Sequence, residues 1–139
     1  MIWLIIITII GLVIISFVVS LNKDKNDLID NPLDEKFSVL IKMINEAAFN
    51  GKGDVTILSQ REINLYKHGE NQIIHFLYST GKLTIIWKYK YFHKEVVHER
   101  TFGKVRNLSV FEQKAIAESL LTEMETVIEE HKKRVLSRH

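Results

Sequence analysis

Residues 2–21, IWLIIITIIGLVIISFVVSL, run for twenty positions without a formal charge and constrain this chain more than any other feature. A helix rises about 1.5 Å per residue, so this length spans roughly 30 Å, the thickness of a bilayer's hydrocarbon core. The polar side chains within it are Thr8, Ser16 and Ser20. A core helix of a soluble domain keeps a polar back, whereas here every helical face is apolar. A cleavable signal peptide carries a basic n-region and a shorter apolar core. This chain opens Met1-Ile2-Trp3 without Lys or Arg, although Val18-Val19-Ser20 has the small-residue character of a cleavage site. The expectation is a single-pass transmembrane anchor over residues 1–22, with Trp3 as an interfacial residue near one end. Gly11 has Ile7 and Ile15 four residues away, so the small-xxx-small pattern of helix dimers is missing.

Translocation disfavours Lys and Arg near a span, and acidic residues count for little in that rule. The N-terminal flank offers only the α-amino group, while Lys23 and Lys25 follow the span and Lys36 comes further on. This balance predicts a cytoplasmic domain. Residues 23–31, KDKNDLIDN, read as a short polar tether. Residues 32–139 are enough for one hydrophobic core and form a single small α+β domain.

Within that domain Asn31-Pro32 reads as an N-cap followed by proline at the first helical position. Phe37, Leu40, Ile41, Ile44 and Ala48 recur at steps of three and four, and Gly51 is a stop signal, which predicts a helix from Pro32 to Asn50. The period then becomes alternating. Val55–Leu58 and Ile63–His68 are two short strands or one interrupted strand; Gln72–Ser79, Lys82–Phe92 and Glu95–Phe102 are an antiparallel meander. Two-residue loops at Thr80-Gly81 and His93-Lys94 would place Ile74 opposite Trp87, Phe76 opposite Ile85 and Tyr78 opposite Leu83. They would also place Tyr91 opposite Val96, Trp87 opposite Arg100 and Lys88 opposite Glu99. One face then carries Ile74, Phe76, Tyr78, Leu83, Ile85, Trp87, Tyr89 and Tyr91, the face that helices must cover. The other carries His75, Thr84, Lys88, Lys90, Glu95 and Glu99. Ser109 and Glu112 have capping-box spacing, and an apolar stripe from Ile116 through Val135 makes the rest a long C-terminal helix. The fold class is a two-layer domain of helix, three to five antiparallel strands and helix.

Catalytic signatures are missing. There is no cysteine, hence no thiolate nucleophile or cysteine zinc site. The six histidines show neither H-x-x-x-H nor H-E-x-x-H, and no serine sits in G-x-S-x-G. Gly51-Lys52-Gly53 lacks a third glycine and follows a helix, so no phosphate loop is expected. Glu125 and Glu129, one helical turn apart, read as a solvated face. Neither cofactor nor metal is expected.

Two basic groups remain as candidate surfaces. Lys88, Lys90, Lys94, Lys104 and Arg106 lie in or after WKYKYFHK, where lysines alternate with aromatic residues as on a single-stranded nucleic-acid platform. Alternation, however, puts the rings and the lysines on opposite faces. Lys132, Lys133, Arg134 and Arg138 either complement the C-terminal helix dipole or touch anionic headgroups. The leading expectation is a membrane-anchored protein-interaction or assembly module without a catalytic site. The alternative is a membrane-tethered, cytoplasmic nucleic-acid-binding domain.

Overall fold

The structure, a computed structural model, describes residues 1–138; His139 of the basic C-terminal end lies outside them. The described chain runs α1 (Ile2–Asp30), α2 (Leu33–Lys36), α3 (Ser38–Phe49), β1 (Asp54–Ser59), β2 (Glu62–Tyr66), β3 (Gln72–Ser79), β4 (Lys82–Tyr91), β5 (Lys94–Phe102) and α4 (Val110–Ser137). The strands form one antiparallel meander in the order β1-β2-β3-β4-β5, giving the expected α+β layout. Two strands, not one interrupted strand, occupy the ambiguous region. They are joined at Gln60-Arg61, with a register irregularity between Ile57 and Ser59.

The N-terminal helix is longer than the sequence suggests. The stretch read as a tether continues α1 without a break to Asp30, and Leu28, only 5% exposed, joins the domain core. Extending an existing helix costs little compared with starting one, and no glycine or proline intervenes before Pro32. The residue before proline is pushed out of the helical region, so α1 stops there. Pro32 itself, at φ −52° and ψ 153°, stands at the N-cap of α2, and no side chain caps that helix. The expected cap by Asn31 does not form.

The single helix expected over 32–50 is two, separated at Phe37 (φ −108°, ψ 27°). In an unbroken helix the Leu40 N–H would donate to the Lys36 carbonyl, four residues back. Here the side-chain amide of Gln113, from α4, stands between them: its Oε1 accepts from Leu40 N–H at 3.1 Å and its Nε2 donates to Lys36 O at 3.0 Å. A side chain inserted into the hydrogen-bond ladder is a recognised cause of a kink. Past Phe49 the helix ends where expected, with left-handed backbone at Asn50 (φ 52°) and Gly51 (φ 77°).

The Thr80-Gly81 turn produces the expected register, with Ile74 opposite Trp87, Phe76 opposite Ile85 and Tyr78 opposite Leu83. The next turn sits one residue earlier than expected, at Phe92-His93. Tyr91 therefore faces Lys94, Tyr89 faces Val96, Lys88 faces Val97 and Trp87 faces His98. Phe92 (φ 49°) and His93 (φ 61°) both take positive φ, as a type I′ hairpin turn requires, and neither residue advertises that preference. The slip displaces β5 by two residues along its partner, so each side chain stays on its expected face.

Helices α3 and α4 cover the inner face, where Ile74, Phe76, Leu83, Ile85 and Trp87 meet Phe37, Leu40, Ile44, Leu120 and Met124 in one core. Ser109 Oγ accepts the Glu112 N–H at 3.1 Å, fixing the start of α4. The reciprocal half of the capping box is replaced by the Ser109 hydroxyl donating to Glu112 Oε1, also at 3.1 Å. Further along, Glu123 of α4 accepts from Arg100 and lies 3.0 Å from His98 Nε2, fastening helix to β5. Near the C-terminal end the buried His131 ring meets the Lys94 carbonyl at 2.8 Å.

Candidate functional site

The second face of the sheet is open. Its side chains lie in three cross-strand rows: Glu62, Leu77, Thr84 and Thr101; Thr56, Asn64, His75, Ile86 and Glu99; Asp54, Tyr66, Ile73, Lys88 and Val97. Lys90 and Glu95 form a further pair. Among the described residues none of these is buried, while their inner-face neighbours Ile74, Phe76, Leu83 and Ile85 are at most 1% exposed. Antiparallel sheets tolerate one wet face, but that face is ordinarily polar. This one holds Ile73, Leu77 and Ile86 half-buried on the central strands, with Val97 50% exposed beside them.

Period-two alternation found the lysines, glutamates, Thr84 and His75 of this face and missed its apolar centre. The signal was present in Gln72–Ser79 and Lys82–Tyr91, where Ile73, Leu77 and Ile86 interrupt the polar positions. A run apolar on both faces is the mark of a strand covered on both sides. Polar contacts order the face around them: His75 Nδ1 lies 2.6 Å from Asn64 Oδ1, and Thr84 Oγ1 lies 3.0 Å from Thr101 Oγ1.

The basic residues proposed from sequence do not share a surface. Lys88 and Lys90 stand on the open face, Lys94 begins β5 at the Phe92-His93 turn, and Lys104 and Arg106 lie in the loop at the opposite end of the sheet. Along β5 that separation is roughly 27 Å, at about 3.3 Å per residue. The rings of Trp87 and Tyr89 are on the inner face, 2% and 6% exposed. Lys88 and Lys90 are interspersed instead with Asp54, Glu62, Glu95 and Glu99.

The C-terminal cluster lies at the Phe92-His93 turn end of the sheet, away from Lys104 and Arg106. Lys132 lies over the Tyr91 ring at 5.5 Å. Arg134 and Arg138 line an open groove of about 490 Å³ with Lys94, Glu95, Val96, His131 and Val135. A second groove, about 360 Å³, runs between Leu28, Pro32 and Leu33 and the β1–β2 turn at Ile57, Ser59 and Gln60. No group of three or more His, Asp or Glu converges as metal ligands among the described residues.

The described chain contains one helix long and apolar enough to cross a membrane; its apolar part is Ile2–Ser20, none of it buried by the domain. Compared with protein-family models, curated proteins and solved structures, the chain matches none.

Proposed function

We propose that this chain is a single-pass membrane protein whose α+β domain stands on the cytoplasmic side and binds a protein partner in or near the same membrane. The observation that carries the proposal is the open sheet face, with Ile73, Leu77 and Ile86 at its centre, Val97 beside them on the edge strand, and charges of both signs around them. An apolar centre inside a polar rim is the composition of a protein interface. The span is supported by the Ile2–Ser20 part of α1, which presents an apolar surface all round and buries none of it on the domain. Lys23 and Lys25 favour the cytoplasmic orientation. Because α1 runs straight into the domain, the open face has a short reach, and tethering raises its effective concentration for neighbours in the same bilayer.

Nucleic acid is the weaker reading, since phosphate binding needs unopposed positive charge and stacking needs exposed rings. Here carboxylates share the face with Lys88 and Lys90, and Trp87 and Tyr89 are core residues. Photo-crosslinking in intact membranes separates the cases. A benzophenone amino acid replacing Ile86 should capture a discrete protein, and one replacing exposed Leu136 should not. No adduct at Ile86, with the solubilised protein a lone monomer, would reject the module. Steeply salt-dependent oligonucleotide binding would install the alternative. Orientation is tested by Ser137→Cys in this cysteine-free chain: an impermeant maleimide should label it only after permeabilisation.

A further inference from the structure

We propose that the β5–α4 loop and the first turn of α4 form a second contact with the bilayer that holds α1. The inference rests on the reading of α1 as a span. The guanidinium of Arg106 reaches the helix where its apolar part ends: Nη2 lies 3.4 Å from the Ser20 carbonyl oxygen and 3.3 Å from Ser20 Oγ. The loop therefore sits beside the level at which hydrocarbon gives way to headgroups. It is held there firmly. Val105 is 1% exposed and its N–H donates to the Gly81 carbonyl at 3.0 Å, while the Lys36 ammonium donates to the Arg106 carbonyl.

The residues displayed at this level are those an interface would select. Phe111 is 81% exposed and Val110 55% exposed, a few positions after exposed Lys104 and after Arg106 in the chain. Large apolar side chains beside cations are the composition of segments that lie at the boundary between acyl chains and anionic headgroups. The carboxylate of Glu112 is turned back onto Ser109. Other exposed apolar residues lie elsewhere: Ile57 lines the groove with Leu28, eight residues and roughly 12 Å further along α1 than Ser20. Lys132, Lys133 and Arg134 sit on the last turns of α4, with Arg138 at its C-cap, and the helix begins at Val110. From Val110 to Arg134 the helix rises roughly 36 Å. The proposed headgroup cation is Lys104, with Arg106 holding the loop against Ser20.

The test uses the full-length chain in vesicles, with an environment-sensitive fluorophore on Phe111→Cys, on Phe92→Cys at the distal turn, or on Ile14→Cys within α1. Lipids spin-labelled in the headgroup should quench the Phe111 probe severalfold more than the Phe92 probe. Phosphatidylglycerol should strengthen that quenching, and Lys104→Ala should lower the ratio of docked to undocked domain about fivefold. Equal quenching at Phe111 and Phe92, with Ile14 quenched by acyl-chain labels, would overturn the second contact and leave the span standing. An unquenched Ile14 probe would overturn both. Phe111 is exposed, so its replacement leaves the core intact.

Discussion

Replacing Gln113 should unfasten the domain at the break between α2 and α3. Its side chain is 5% exposed and satisfies two backbone groups, Leu40 N–H and Lys36 C=O, that lost each other when the helix was interrupted. A buried backbone group left without a partner costs about 1–3 kcal/mol. Gln113→Met keeps the length of the side chain and can replace neither bond, so the expected loss is about 2–6 kcal/mol, a large share of a small domain's stability. Direct re-pairing of Leu40 with Lys36 would recover it, but Phe37, 1% exposed in the core, and the Lys36 ammonium on the Arg106 carbonyl hold the break open. Gln113→Glu retains an acceptor for Leu40 and sets a carboxylate oxygen against the Lys36 carbonyl, so it should be no milder. The assay is urea unfolding of the full chain in mild detergent, followed by Trp87 fluorescence with Trp3 changed to Phe. A loss below about 0.5 kcal/mol for Gln113→Met, the range of a surface substitution, would refute the bridging role.

Three further outcomes follow from the packing. Gly53→Ala should lower the melting temperature through steric overlap, because a Cβ there would lie 2.7 Å from both Asn45 Oδ1 and Phe49 Cδ2. Overpacking of that kind costs about 1–3 kcal/mol, and an unchanged melting temperature would contradict it. Glu123→Gln removes the carboxylate shared by Arg100 and His98; with these side chains 25–42% exposed, solvent screening limits the expected loss to roughly 0.5–1 kcal/mol. Its stability difference from the parent should shrink in high salt, and a salt-independent difference would mean that the pair contributes through packing alone. Ile85→Ala and Ile86→Thr alter adjacent residues on opposite faces. The first should cost about 2–5 kcal/mol, and the second no more than about 1 kcal/mol while abolishing partner capture; capture retained by a folded Ile86→Thr protein would remove the open face from the proposed interface.

The apolar helix, the meander and the long final helix were legible because each is written as a local period. Residues 2–21 are apolar all round, Gln72–Phe102 alternate, and Ala117, Leu120, Met124 and Val135 mark one stripe. The turn at Thr80-Gly81 was legible because glycine at φ 72° meets a demand of the backbone, whereas Phe92-His93 adopts the same turn without such a residue. The open face was half legible: its charges stood out, and its apolar residues looked like ordinary strand formers.

Periodicity along the chain is sufficient to specify elements and faces, since side-chain direction repeats every 3.6 residues in a helix and every two in a strand. It does not specify which distant residue meets which. That Gln113 would divide a helix more than seventy positions earlier, that α1 would enter the core through Leu28, and that Arg106 would reach Ser20 depended on how the layers pack. These contacts are long-range pairings of groups without a local pattern. The open second sheet face is likewise a property of the assembled fold: α3 and α4 both pack on the first face, and only that packing leaves Ile73, Leu77 and Ile86 uncovered.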